Sequence, residues 1–120
     1  MPSRKSLLAA RSIAWLSQHR RCFYCQLLTW LGDPQDFCQA TGLTPKQARP
    51  LQCTAEHLEP KSNGGSNNPS NIVAACRYCN QLRHRYKRVP SPEAHKTKIR
   101  SQVARGKWHS KALLESCLPK

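Results

Sequence analysis

A chain of 120 residues with 38% apolar content and a net charge of +14 has room for one small domain with appendages, which excludes two independent cores. The positive charge runs along the whole chain with no terminal tail carrying it. This favours a polyanionic partner, nucleic acid first, while the absence of any apolar run of spanning length argues against a membrane partner.

From the N-terminus, residues 1–21 read as an amphipathic helix, with Ser3 as a candidate cap and Ala9, Ile13 and Leu16 at helical spacing. Arg11 interrupts the apolar stretch, so a secretory core is missing and a reducing compartment such as the cytoplasm is expected. A transit peptide is the alternative, set against a cysteine pair that comes at once after it. Within the central domain, residues 22–88, Gly32-Asp33-Pro34 marks a turn, and Thr44-Pro45-Lys46-Gln47 has the pattern of a capping box with proline at the first helical position. LQCTAEHLEP has strand length, KSNGGSNNPSN is turn chemistry, NIVAAC is a second short strand, and Arg77 to about Arg88 is a helix stopped by VPSP. Residues 89–120 form a basic helical extension. One helix starts at Pro92 behind Ser91 and runs towards Gly106, and KWHSKALLESCL has room for a further turn or two. The fold class is α+β, a small strand-strand-helix core with flanking helices.

CFYC at 22–25 and CRYC at 76–79 share their spacing and a tyrosine before the second cysteine. A tight turn in each can aim two thiolates at one ion, so Cys22, Cys25, Cys76 and Cys79 together offer the tetrahedral shell that structural zinc accepts. Disulfides and a redox pair are the alternatives. The odd total of seven cysteines speaks against a complete disulfide framework. Cys38, Cys53 and Cys117 remain, with buried apolar cysteine as their default; a second metal site on Cys38 and Cys53 lacks knuckle spacing.

Glu56 and His57 place a scarce carboxylate beside a histidine. Hydrolysis of a phosphodiester needs a base near neutrality to activate water, and oxygen ligands for a cation that offsets developing charge. On a regular strand the two side chains point to opposite faces, so serving one site requires a local irregularity.

The stretch EHLEPKSNGGSNNPSNIVAACRYCNQLRHR resembles the core of the HNH endonuclease family with its ββα-metal fold, and the flanking Cys22 and Cys25 extend the resemblance to the zinc-supported branch. It implies Glu56 as a metal ligand, His57 as general base, Asn71 as the brace that holds the loop and orients His57, and Asn80 as a further ligand, an H-N-N variant. His84, four residues beyond Asn80, is a third ligand or an outer contact to phosphate. The catalytic ion implied is Mg²⁺ or another divalent ion such as Mn²⁺, beside the structural Zn²⁺. Glu56 stands where Asp is more usual, and Arg83 where Lys is frequent.

Arg77, Arg83, Arg85, Lys87 and Arg88 crowd the same helix and are candidates for gripping phosphates without reading bases. For either Trp108 or Tyr86, core packing or a lid over the zinc knuckle is the expected role, with base stacking as the alternative. The function implied is metal-dependent cleavage of DNA, with RNA as a further substrate. A zinc-stapled binding module without catalysis and an adaptor for an acidic protein are the alternatives. Monomer and dimer are equally compatible with the chain.

Overall fold

The computed structural model describes residues 4–120, so the candidate cap Ser3 lies outside the described residues. Its centre is an antiparallel hairpin. Strand β1, Cys53–His57, pairs with β2, Ile72–Cys76, from Cys53 opposite Cys76 to His57 opposite Ile72. Both strands are the short apolar runs visible in the sequence, and the polar loop between them is held by its own groups. Gly64 has φ 85°, and a Cβ on Gly65 would stand 1.8 Å from the Glu59 carbonyl oxygen, so neither position accepts a side chain without strain or clash.

Helix α4, Arg77–Arg83, continues directly from β2, with the Cys76 sulfur accepting the Cys79 N–H as its cap. It is shorter than the run to Arg88 that the sequence suggests. The Arg83 guanidinium turns inward and donates to the carbonyls of His57 at 2.8 Å, Leu58 at 2.9 Å and Pro90 at 2.9 Å. Fixing Pro90 against Arg83 makes the intervening residues turn back, so the helix cannot continue.

Helix α1, Arg4–Ser17, lies against the hairpin. Ala9, Ile13 and Leu16, the expected apolar face, are exposed, while Ala10 is buried and Leu7, Arg11, Ala14 and Trp15 are partly covered. A contact just past the helix C-terminus selects the buried face. Gln18 Nε2 donates to Ala74 O at 2.8 Å, and Gln18 Oε1 accepts from Ala74 N at 2.9 Å. This side-chain amide occupies the outer edge of β2 as a third strand would, and its anchoring sets the rotation of the helix.

The remaining helices surround this unit. Gln35–Thr41 forms α2, which has no clear signal in the sequence and ends at Gly42 with φ 77°. Pro45–Ala48 forms α3, and its capping box is complete: Thr44 Oγ1 accepts from Gln47 N at 3.2 Å, and Gln47 Oε1 from Thr44 N at 2.9 Å. Ser91 caps α5, Pro92–Ala104, and Ser110 caps α6, Lys111–Cys117. One apolar cluster joins Tyr24, Leu27, Leu51, Ile99, Leu113 and Cys117 around the four knuckle cysteines, so the C-terminal helices close the same core as the hairpin. The molecule is α+β, a mixed helical domain on a two-stranded sheet.

Candidate metal centre and active site

The knuckles come together although fifty residues separate them. Cys22, Cys25, Cys76 and Cys79 are buried, and their sulfurs all lie within 4.8 Å of one another. The first knuckle is a tight turn in which Gln26, at φ 67°, donates its N–H to Cys22 O at 3.0 Å. Backbone N–H groups aim at sulfur throughout: Tyr24 N and Cys76 N donate to Cys22 Sγ at 3.3 and 3.2 Å. Trp108 covers the cluster, its Nε1–H donating to Cys79 Sγ at 3.3 Å, so it is a lid over the knuckle and not a base-stacking surface.

Burial alone would raise the Cys22 thiol, but sulfur neighbours and the Cys76 N–H overcome it and hold Cys22 well below the ordinary value. Cys76 and Cys79 are pushed up by burial and by the Cys22 thiolate. Four sulfurs this close cannot all carry charge without a cation among them. The donor set, its burial and its compactness are compatible with zinc. Among the described residues no second cluster of three or more Cys, His, Asp or Glu side chains draws together in this way, so Cys38 and Cys53 build no metal site of their own. Cys53 and Cys117 are buried, with burial pushing their thiols up to about 12 and about 11, while Cys38 is partly exposed.

A second centre lies at the end of β1. A cleft of about 370 Å³ is lined by Glu56, His57, Asn80 and His84, together with Pro60, Lys61, Ser62 and Val89. Pairing runs unbroken through Glu56 with Val73 and His57 with Ile72, so the irregularity expected within the strand is absent from the register. Both side chains reach one cleft because it sits where the strand stops.

Glu56 is fully buried. Its Oε2 accepts from Tyr24 Oη at 2.9 Å and lies 3.3 Å from Arg83 Nη1, while Oε1 is 2.8 Å from His84 Nε2. Burial and the Glu56 carboxylate in turn push the Tyr24 phenol up. Asn80 donates Nδ2 to Thr54 Oγ1 at 3.0 Å and Ala55 O at 3.3 Å, which fixes the amide and leaves its oxygen as the acceptor. A carboxylate, an imidazole and an amide oxygen so gathered are donors that a divalent cation accepts.

The loop divides two tasks that the sequence assigns to one residue. Asn71 braces the loop: its Oδ1 accepts from Glu59 N at 2.8 Å, and its Nδ2 donates to Glu59 O at 3.1 Å and Ser66 O at 2.8 Å. The partner of His57 is Asn67, whose Oδ1 lies 2.7 Å from Nε2. Nothing in the spacing of SNNPSN distinguishes Asn67. Tyr24 did carry a signal, as the tyrosine repeated before the second cysteine of each knuckle.

Of the basic residues, Arg85, Lys87 and Arg88 are exposed and Arg77 is half-buried. Arg83, expected among the phosphate-binding cations, is 1% exposed. Its charge is spent on Glu56 and three carbonyls, so the phosphate-binding assignment for Arg83 is corrected to a structural one. Tyr86 is exposed, with the Lys98 ammonium 4.8 Å from its ring centroid. No helix among the described residues is long and apolar enough to cross a membrane.

The chain matches no curated protein and no solved structure. Residues 38–86 match the family model described as HNH endonuclease, and the matched stretch contains both strands, the glycine loop, α4 and, of the cleft, Glu56, His57, Asn80 and His84. Sequence match and strand-strand-helix geometry agree over the same residues, so this segment of the chain is similar to the HNH endonuclease family.

Proposed function

We propose that this chain is a divalent-metal-dependent endonuclease that hydrolyses phosphodiester bonds in DNA, with zinc held structurally by the four cysteines. The observation that carries the reading is the meeting of Glu56, His57, Asn80 and His84 on one cleft inside the family-matched segment. With Nε2–H donated to Asn67 Oδ1, a neutral His57 keeps Nδ1 as its basic nitrogen, the atom that takes the proton from the attacking water. Asn71 holds the loop that carries Asn67, and so acts on His57 at one remove.

Glu56, Asn80 and His84 would hold the catalytic ion, Mg²⁺ or Mn²⁺, which when bound supplies positive charge against that developing on the phosphate and leaving oxygen. Tyr24 and Arg83 occupy Glu56 Oε2, so Oε1 and His84 Nε2 are the atoms that face the ion. Tyr24 and Arg83 orient the carboxylate from behind. Arg77, Arg85, Lys87 and Arg88 provide cations for the flanking phosphates.

One observation favours a second reading, a zinc-stapled nucleic-acid-binding module without catalysis. Every oxygen of Glu56 already has a partner, and the carboxylate is fully buried. Plasmid nicking with and without Mg²⁺ or Mn²⁺, beside a His57→Ala protein of equal zinc content, separates the two. Cleavage lost in the variant supports the nuclease. Intact plasmid binding with no cleavage under either ion selects the binding module.

A further inference from the structure

Beside the cleft runs a wider groove of about 740 Å³ between α1 on one side and β1 with α4 on the other. Arg4, Leu7, Leu8 and Arg11 form its α1 wall, a single face by their i, i+3, i+4 and i+7 spacing. Arg77 stands on the opposite wall and Lys61 at the mouth. Lys61 and Asn80 line both groove and cleft, so the two adjoin. None of the chain's six acidic residues lines the groove, which leaves its four cations without a local counter-charge. Arg11 Nε is buried and has no hydrogen-bond partner among the described residues, so no protein acceptor holds the guanidinium through that nitrogen.

We propose that this groove is the track for the backbone of duplex DNA flanking the cleaved bond, and that α1, outside the family-matched segment 38–86, supplies half of it. The proposal rests on the nuclease reading of the adjoining cleft. Two features of the lining select the duplex and DNA. No aromatic side chain lines the groove, so unpaired bases would find no stacking platform there. Leu7 and Leu8 present methyl groups between the cations, a surface that suits the apolar face of deoxyribose.

The test is fluorescence anisotropy on a labelled 20-base-pair duplex across a salt series, in a His57→Ala background and without added divalent ion. Arg4→Gln/Arg11→Gln should weaken binding and make the slope of log affinity against log salt shallower by about 0.9 for each arginine removed. A control pair of equal charge, Lys5→Gln/Lys107→Gln, lies outside the groove and should leave the slope nearly unchanged. Because Arg11 is half-buried, the exposed pair Arg4→Gln/Lys61→Gln repeats the measurement with no risk to folding from Arg11. Equal effects of groove and control pairs would overturn the proposal, as would tighter binding of single-stranded DNA or duplex RNA, or displacement of the DNA by polyglutamate as effectively as by unlabelled duplex. The two readings fail separately: cleavage by the parent protein with an unshifted slope removes the groove alone, and a shifted slope without cleavage removes the nuclease alone.

Discussion

Cys79 and Asn80 are neighbours on α4, yet they belong to centres of opposite design. The cysteine cluster is closed: four buried sulfurs lie together under Trp108, and backbone N–H groups donate to those of Cys22 and Cys76. The cleft is open, and its donors are unequal: Glu56 is fully buried, His57 is half-buried, and the His84 side chain is 32% exposed. A closed tetrahedral set has no position for a substrate, which marks it as structural; an open set with mixed donors leaves room for one. Tyr24 joins the two. It sits within the first knuckle, and its hydroxyl reaches Glu56 in the second centre, so the turn that gathers the cysteines also positions the carboxylate.

This contrast can be broken from either side. The largest effect is expected for Cys76→Ser, which removes a ligand at the junction of β2 and α4. The bound metal and the cooperative unfolding transition should both be lost, read by zinc stoichiometry and circular dichroism, because binding energy of a structural ion is folding energy. A Cys76→Ser protein that stays folded and metal-free would refute the staple. His57→Ala tests the open centre alone: nicking should fall about 10²- to 10⁴-fold with zinc content and melting temperature unchanged.

Arg83→Met probes the wall between the centres. It strands a buried carboxylate and three carbonyls, so urea unfolding should register a loss of about 3–5 kcal/mol, whereas an exposed phosphate-binding arginine would cost almost nothing in stability. Tyr24→Phe takes only the hydroxyl from Glu56, a charge-assisted bond worth about 1.5–3 kcal/mol. Its informative readout is the concentration of Mg²⁺ or Mn²⁺ needed for half-maximal nicking, which should rise if Tyr24 positions the carboxylate. The smallest effect is chemical. Iodoacetamide should label Cys38 first in the native protein, since Cys53 and Cys117 are buried with their thiols pushed up to about 12 and about 11; early labelling of Cys53 would mean that the groove beside α1 opens.

The physical range of each signal separates what the residues announce from what they conceal. The paired Cys-x-x-Cys spacing, the Thr44 capping box, the Ser91 cap and the glycine loop are stated by residues within a few positions of one another, and each appears in the structure. The family resemblance rests on the same local order around Glu56, His57 and Asn80. The face that α1 buries was not readable, because it depends on Gln18 meeting Ala74, a contact across 56 positions. Asn67 was hidden among asparagines of equal turn propensity, and only the closure of the loop brings it rather than Asn71 to His57.

Arg83 is the clearest case. By composition it is one cation among twenty Lys and Arg, and exposure is the ordinary fate of such a residue. Only the hairpin, by placing Glu56 and the carbonyls of His57 and Leu58 around one buried point, makes burial of a guanidinium favourable. Residues close along the chain announced the paired cysteine spacing, the turns and the starts of α3 and α5, since these depend on near neighbours. Only the folded chain decides which charges stay exposed and which hold the core, since a charge is stable in the interior only where partners distant in sequence converge on it.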